Sequence, residues 1–146
     1  MPKIDFYLLE NPGVTTRLDF ACRLTEKAYK NKHRIYIHAS NQAEAHQLDE
    51  LLWTYREDSF LPHNLLGEGP APTPPIQIGF NQKPDNHRDI LLNLNETVPE
   101  FYSGFARVLE LVPSDTAAQA LARERYRFYR AAGYDINTHK LQSIEV

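Results

Sequence analysis

The fold is decided by residues 34–55, RIYIHASNQAEAHQLDELLWTY, in which a strand-favouring run passes directly into a helix pattern. Residues 34–39 are rich in the β-branched and aromatic side chains that favour strands. Ser40 or Asn41 can cap the helix that follows. The apolar side chains of this helix recur at the helical period, at Ala45, Leu48, Leu51, Leu52 and Tyr55. The stretch therefore predicts a strand followed by an amphipathic helix.

The same order of elements is predicted nearer the N-terminus. Residues 3–9, KIDFYLL, predict a first strand, and the turn residues Asn11-Pro12-Gly13 end it. Thr15 or Thr16 can then cap a helix that runs to about Asn31. Strands that alternate with helices form parallel sheets, because each helix carries the chain back along the sheet. We therefore predict an α/β fold in which helices flank a mostly parallel sheet.

The second half of the chain predicts short strands and one long helix. The Gly and Pro content of residues 56–75 predicts an irregular loop. Strands are predicted further along, at residues 76–80, 90–94 and 107–112. Ser114 or Asp115 can cap a helix that runs to about Ala132. Gly133 then stands where a left-handed C-cap is expected.

Composition predicts one globular domain over residues 1–146, because a chain of 146 residues that is 42% hydrophobic matches the usual size and make-up of a domain. The single cysteine, Cys22, has no disulfide partner, which is typical of a reducing compartment. The sequence has no apolar run of membrane-spanning length and no signal-peptide pattern at its start. These features predict a cytoplasmic protein without a membrane partner.

Several kinds of chemistry are disfavoured by the motifs. The turn after the first strand, NPGVTT at residues 11–16, lacks the glycine-rich pattern of phosphate-binding turns. The six histidines and Cys22 are too scattered for a metal site. His63, beside Pro62 in the irregular loop, is the remaining catalytic candidate, although a structural histidine is the more common case. We therefore predict no cofactor, no metal and no catalytic residue.

The last predicted helix has two different faces. We expect a packed face, with Arg125 along its margin, made of Ala118, Leu121, Ala122, Arg125, Phe128, Tyr129 and Ala132. The opposite face presents Gln119, Arg123, Tyr126, Arg127 and Arg130. The arginines of this second face have no acidic partner on it, whereas an ordinary solvated face interleaves opposite charges. The helix is therefore basic on one side, although the net charge of the chain is -3.

Two interpretations of this basic face remain open. Its arginines can simply be solvated and complement the dipole at the helix C-terminus. Alternatively, the face can bind an anionic partner, because arginine donates paired hydrogen bonds and tyrosine offers a flat apolar wall. An acidic peptide with an aromatic end fits this face as well as a nucleic-acid strand does. The acidic remainder of the chain favours the peptide.

A second candidate surface combines the second helix with the irregular loop. Leu52 and Trp53 are adjacent on a helix, so both cannot lie at the centre of one buried face. Either the loop or another protein covers Trp53. Aromatic anchors such as Trp53 and Phe60 are typical of protein interfaces, and a loop that folds over its own core explains them nearly as well.

Three long stretches resemble one known family: DFYLLEN at residues 5–11, LDELLWTYREDSFLPHNLLGEGP at residues 48–70 and LARERYRFYRAAGYDINT at residues 121–138. Over nearly its whole length the chain resembles the chi subunit of bacterial DNA polymerase III holoenzyme. The resemblance implies a Rossmann-like α/β fold without a nucleotide and a role without catalysis. It also implies two partners, the psi subunit of the clamp loader and the acidic C-terminal tail of single-stranded DNA-binding protein.

The resemblance implies which residues contact the tail. The family's contacts correspond to Arg123, Tyr126, Arg127 and Arg130. Val112 is expected to line the pocket for the final Phe of the tail. A further contact is a lysine in the family and is Gln119 here, so one charge is missing, whereas Arg127 keeps the charge of another family lysine.

The resemblance also implies that Trp53 and Phe60 contact psi, with the loop PHNLLGEGP at residues 62–70 around them. The leading hypothesis is a non-enzymatic replication adaptor with no direct specific contact to DNA. The alternative is a small enzyme or a nucleotide-binding protein on the same α/β scaffold. Binding of an acidic peptide would favour the adaptor, and stabilisation by a nucleotide would favour the alternative.

Overall fold

A computed structural model describes residues 2–9, 17–54, 61–66, 74–80, 82–84 and 89–141. The strands are β1 (Lys3–Leu9), β2 (Ile35–His38), β3 (His63–Leu65), β4 (Ile76–Gly79), β5 (Ile90–Asn93), β6 (Arg107–Val112) and β7 (Ile136–Leu141). The helices are α1 (Arg17–Lys30), α2 (Gln42–Thr54) and α3 (Thr116–Ala131), with a short 3₁₀ helix at Glu100–Gly104. In these ranges, no helix has both the length and the apolar character needed to cross a bilayer.

The strands form one parallel sheet in the order β3-β4-β2-β5-β6-β1-β7. Along the chain, α1 lies between β1 and β2, α2 lies between β2 and β3, and α3 lies between β6 and β7. Each helix returns the chain to the end of the sheet at which the strands begin, as parallel pairing requires. The predicted α/β fold with a parallel sheet is confirmed.

Each face of the sheet has its own apolar core. Successive side chains of a strand point to opposite faces, so Ile35 and Ile37 of β2 pack with α1 and α2 on one side. Tyr36 points to the other side, where α3 packs over Ile4 and Phe6 of β1. A sheet that is covered on both faces buries nearly every strand residue, and all four residues of β2 are buried.

Two edge strands differ from the prediction. β3 lies within residues 56–75, for which the sequence predicts irregular structure throughout, and its three residues pair with β4. β7 follows Gly133 and pairs with β1, although the sequence analysis predicts no strand there. Both strands lie at an edge of the sheet and have one neighbour each. The apolar pattern of such a strand is weak because only part of it is buried.

The predicted ends of α3 are confirmed. The Asp115 carboxylate accepts a hydrogen bond from Ala117 N at 3.1 Å, which caps the first turn. At the other end Gly133 has a φ of 88°, the left-handed region that favours glycine. The Asn41 carboxamide caps α2 in the same manner as Asp115. Residues 11–16, with the predicted turn and the candidate α1 caps, lie outside the described residues.

Position 79 of β4 has room only for glycine. A Cβ atom on Gly79 would lie 2.1 Å from the hydroxyl oxygen of Tyr36 and 3.0 Å from Tyr36 Cζ. Tyr36 is fully buried, and its hydroxyl donates a hydrogen bond to Gln82 O at 2.8 Å. The ring is therefore held where it is, and β4 must present a bare backbone to it.

We expect Gly79→Ala to lower the free energy of unfolding by about 1–3 kcal/mol, the usual cost of overpacking a core. Because the closest atom is the Tyr36 hydroxyl, adding Tyr36→Phe to this variant should recover part of the loss. Urea denaturation of the two single variants and the double variant measures their coupling. Strictly additive losses would show that Tyr36 is not the obstacle.

Candidate protein-binding surfaces

A row of buried polar side chains crosses the sheet on the side that α3 covers. His38 of β2, Asn93 of β5 and Glu110 of β6 are neighbours in the strand register. His38 Nδ1 lies 3.3 Å from Asn93 Oδ1, and Asn93 Nδ2 donates to Glu110 Oε2 at 2.9 Å. Burial lowers the pKa of His38, although the hydrogen bond with Asn93 opposes this shift. The row of polar side chains therefore ends at His38 with an uncharged imidazole.

Glu110 joins this row to α3. Arg125 Nε donates to Glu110 Oε1 at 2.9 Å, and the Tyr129 hydroxyl donates to Oε2 at 2.7 Å. Arg125 Nη1 also donates to the carbonyl oxygen of Glu96 at 2.9 Å. Arg125 is only 7% exposed, so the prediction that it lies along the margin of the packed face is wrong. A buried carboxylate needs a buried cation, because an unpaired charge in the interior is strongly destabilising.

The protonation of this cluster follows from its hydrogen bonds. Burial raises the pKa of Glu110, while the Arg125 charge and the hydrogen bonds that Glu110 accepts oppose the shift. The side chains that contact Glu110 all donate, so they match its carboxylate form. Burial and the nearby carboxylate raise the pKa of Tyr129, whose hydroxyl keeps the proton that it donates. The cluster therefore holds α3 against β6 in one orientation.

This orientation makes the buried side of α3 narrower than the sequence predicts. Its buried residues are Ala122, Arg125 and Tyr129. Three residues that the helical spacing predicts to be packed are exposed instead: Leu121, Phe128 and Ala132. Ala122 and Tyr129 lie on one side of Arg125 around the helix, and the three exposed residues lie on its other side, so α3 is turned with this second side away from the sheet.

The opposite side of α3 forms what we call the basic surface, made of Gln119, Arg123, Tyr126, Arg127 and Arg130. Its three arginines are exposed, and its other two side chains are half-buried. Arg127 forms an ion pair with Glu124, which lies three residues earlier and outside this surface, so its charge already has a partner. Within the described part of the chain, Arg123 and Arg130 form no ion pair.

Tyr126 connects the basic surface to the core. Its ring meets Phe6 of β1 edge to face, with 5.5 Å between the ring centroids. Arg123 and Arg130 flank Tyr126 at the three- and four-residue spacings that bring helical side chains together. Val112, at the end of β6, is buried in the apolar cluster against which Tyr126 packs. Guanidinium groups beside an apolar ring can bind a carboxylate and an adjoining aromatic side chain.

The second candidate surface lies where α2 meets β3. Leu52 is buried and the adjacent Trp53 is 52% exposed, which confirms that the two do not share one buried face. The Trp53 ring packs against His63 of β3, with 4.4 Å between the ring centroids. We call the exposed side of the Trp53 ring the indole surface. Phe60, the other candidate contact, lies outside the described residues.

His63 has a structural role beneath the indole surface. Its Nδ1 lies 2.6 Å from the carbonyl oxygen of Leu61, and its Nε2 lies 3.0 Å from the carbonyl oxygen of Asp49. The Asp49 carboxylate is also 3.3 Å from Nε2. Because both ring nitrogens are engaged and the side chain is buried, the ring is not placed to exchange a proton with a substrate.

The sheet separates the two surfaces. Neighbouring strands lie about 4.8 Å apart, so β3, beside the indole surface, is roughly 19 Å from β6, beneath α3. α2 and α3 also cover opposite faces of the sheet. The two surfaces therefore have no described residue in common.

Cys22 is a packing residue of the core on the α1 side. Burial raises the pKa of its thiol to about 12, so the nucleophilic thiolate is rare at neutral pH. The part of the chain that the structure describes contains no group of three or more His, Cys, Asp and Glu side chains that could hold a metal ion.

The fold and its surfaces define a class: an α/β protein with a Rossmann-like parallel sheet whose last helix is basic on its outer side. Residues 1–137 match the family described as DNA polymerase III chi subunit, HolC. The chain is 39% identical to the DNA polymerase III subunit chi of Pseudomonas aeruginosa over 144 residues, which is 99% of this chain and 100% of that protein. It is 36% identical to the subunit chi of Escherichia coli, over 94% of this chain and 97% of that protein. It is also 33% identical to the subunit chi of Haemophilus influenzae, over 93% and 95% of the two chains.

The chain belongs to the chi subunit family of DNA polymerase III. This result confirms the resemblance that the three sequence stretches indicate. Its general role is therefore that of an accessory subunit in DNA replication.

Two arginines of α3, two residues apart, should respond very differently to truncation. We expect Arg125→Ala to lower the free energy of unfolding by about 3–5 kcal/mol, because it leaves the Glu110 charge buried without its cation. Arg123→Ala should change it by less than about 0.5 kcal/mol, since Arg123 is exposed and forms no ion pair among the described residues. Chemical denaturation measures both values. Similar losses for the two variants would contradict the buried pair.

Proposed function

We propose that this chain is a non-catalytic replication adaptor that joins the psi subunit of the clamp loader to the acidic C-terminal tail of single-stranded DNA-binding protein. The observation that carries the proposal is the basic surface, where exposed guanidinium groups surround a half-buried aromatic ring. A bacterial replication subunit works where the chromosome is, and we therefore place the chain in the cytoplasm.

An acidic peptide with an aromatic C-terminus matches the basic surface. The terminal carboxylate can accept paired hydrogen bonds from Arg123, which has an exposed guanidinium. The final Phe ring can pack on Tyr126, with Val112 as the apolar floor behind it. A nucleic-acid strand fits less well, because its affinity depends on many neutralised phosphates and the chain has a net charge of -3.

Two members of the basic surface are expected to contribute less than their neighbours. Gln119 stands where the family resemblance implies a lysine, and its amide can donate a hydrogen bond but adds no charge. Arg127 is already paired with Glu124, so a peptide carboxylate must compete with that partner. Most of the attraction therefore comes from Arg123, at the middle of α3, and from Arg130, in its last turn.

Psi is the proposed partner of the indole surface. A half-exposed indole presents a flat apolar face, and tryptophan is among the side chains that dominate protein interfaces. His63 supports the ring from the core and is itself fixed through both nitrogens, so Trp53 loses little freedom on binding. Phe60, seven residues further along the chain, is the second proposed contact.

The alternative of a small enzyme has less support from the same residues. His63, the catalytic candidate of the sequence, has both ring nitrogens engaged. Cys22 is buried with a raised pKa. A thermal shift assay with common nucleotides separates the two hypotheses, since an adaptor of this kind should show no stabilisation and a nucleotide-binding protein should show a clear increase in Tm.

We expect Arg123→Ala to weaken binding of an acidic peptide ending in Phe by about 1.5–3 kcal/mol, the usual contribution of a hydrogen bond to a charged group. Tyr126→Ala should also weaken binding, whereas Tyr126→Phe should keep most of it because the ring supplies the contact area. Isothermal titration calorimetry measures all three. Lys27→Ala on the exposed side of α1 is the control for loss of one positive charge.

Raising the salt concentration should also weaken binding of the peptide, because the Debye length falls to about 3 Å at 1 M and exposed charge pairs are then screened. If a folded Arg123→Ala protein binds the peptide as tightly as the wild type does, the basic surface is not the binding site of the tail. Equal weakening by both Tyr126 variants would assign the contact to the hydroxyl group instead of the ring.

The indole surface should act independently of the basic surface. We expect Trp53→Ala and Phe60→Ala each to weaken psi binding by about 2 kcal/mol or more, the scale of an aromatic interface anchor. Trp53→Phe, which keeps an aromatic ring, should lose less. Neither alanine variant should change the dissociation constant of the tail peptide, and Arg123→Ala should not change that of psi, because the two surfaces share no contacts.

Titrations of psi and of the peptide against each variant, with circular dichroism to verify folding, decide the point. Two results would contradict two separate surfaces. One is a Trp53→Ala protein that still binds psi with wild-type affinity. The other is a folded variant of either surface that loses both ligands.

A further inference from the structure

A pocket of about 620 Å³ opens beyond the C-terminal end of α3. The start of β1, the last turn of α3 and the start of β7 surround it, and Lys3, Tyr126, Arg130 and Asn137 are among its lining residues. Its volume lies in the range of ligand pockets, which are usually about 300–1,000 Å³. The proposed contacts of the tail at Arg123 and Val112 are not among its lining residues.

The pocket is suited to negatively charged groups. Lys3 and Arg130 are both exposed, and neither forms an ion pair within the residues that the structure describes. Among the described residues that line the pocket, Asp135 is the one carboxylate, so two cations face a single anion there. The Asn137 amide can add a neutral hydrogen-bond donor.

The pocket is continuous with the basic surface, because Tyr126 and Arg130 belong to both. Arg123 and Arg130 are seven positions apart in the sequence, which corresponds to about 10 Å along α3. An extended peptide covers about 3.3 Å per residue. A peptide whose last residue is held near Arg123 therefore reaches the pocket with the residues three or more positions before its end.

We propose that this pocket binds the acidic residues that precede the terminal Phe of the tail, and that Lys3 is the residue of this chain that selects for their charge. The proposal rests on the proposed function of the basic surface and adds a second subsite to it. Gln119 leaves the N-terminal end of the basic surface without a charge, whereas Arg130 and Lys3 place two positive charges at the end where the pocket lies. The peptide therefore runs with its Phe towards Val112 and its acidic residues towards Lys3.

Two peptides of nine residues that both end in Phe test this arrangement. One carries Asp at the positions three to six residues before the Phe, and the other carries Asn there. We expect Lys3→Ala to weaken the Asp peptide about two- to five-fold, the range of an exposed charge pair, and to leave the Asn peptide unchanged. Lys27→Ala, which removes the same charge from α1, should change neither dissociation constant.

Two further measurements test the subsite without the Lys3→Ala variant. Asn137→Asp adds a second carboxylate to the pocket and should also weaken the Asp peptide selectively. In the wild type, the backbone amide of Gly133, which lines the pocket, should shift in NMR spectra with the Asp peptide and much less with the Asn peptide. Lys3 is exposed, and its backbone N–H donates to Ala106 O at 3.0 Å whatever its side chain, so Lys3→Ala should fold.

The outcomes separate this proposal from the proposed function. If Lys3→Ala weakens both peptides equally, or weakens neither while Arg123→Ala weakens both, the acidic subsite is rejected and the tail site stands. If the wild-type protein binds neither peptide, the tail site is rejected and the subsite with it. Selective loss of the Asp peptide in Lys3→Ala and in Asn137→Asp supports the subsite.

Discussion

The buried carboxylate of Glu110 is the constraint on which the arrangement of α3 depends. It lies in a central strand of a sheet that is covered on both faces, where a charge is stable only with a cation and hydrogen-bond donors around it. Arg125, Tyr129 and Asn93 supply these donors from α3 and β5. Apolar burial is not directional, whereas hydrogen bonds are, so these contacts fix the rotation of α3 about its axis.

The rotation of α3 in turn determines which residues the protein can offer to a partner. Side chains on a helix are about 100° apart, so an inward-pointing Arg125 turns Arg123 and Arg127 outward to either side. Phe128, which lies on the other side of Arg125 from the buried Ala122 and Tyr129, is exposed, although its apolar character alone would place it in the core. The buried Arg125 thus determines where the exposed arginines of α3 point. A substitution at Glu110, which is not part of the basic surface, would therefore change the orientation of that surface.

The sequence predicts the fold better than it predicts the details of α3. Alternating strand and helix patterns, with Asp115 and Gly133 at the ends of α3, lead to the correct α/β fold. Periodicity fails at Arg125, because it assigns a charged residue to a margin and has no knowledge of the Glu110 that lies across from it on β6. The Glu124 partner of Arg127 could have been found from its spacing of three residues. The short edge strands β3 and β7 carry too few buried residues to produce a clear pattern. Helical spacing alone groups the residues of the basic surface on one face, but their assignment to a particular partner comes from the family resemblance.

On the proposed function, the sheet is best understood as a rigid spacer between two partners. Coupling between distant surfaces requires an element with two discrete arrangements. The polar row from Glu110 to His38 is not such an element, because it has a single favourable arrangement. Each of its side chains already has its partner, and any other arrangement would leave a buried group unsatisfied. The row also ends at β2, and β4 and β3 lie between it and the indole surface. A partner bound to α3 can therefore be linked to a partner bound at Trp53 while each surface keeps its own affinity, which is the property that an adaptor needs and an allosteric relay lacks.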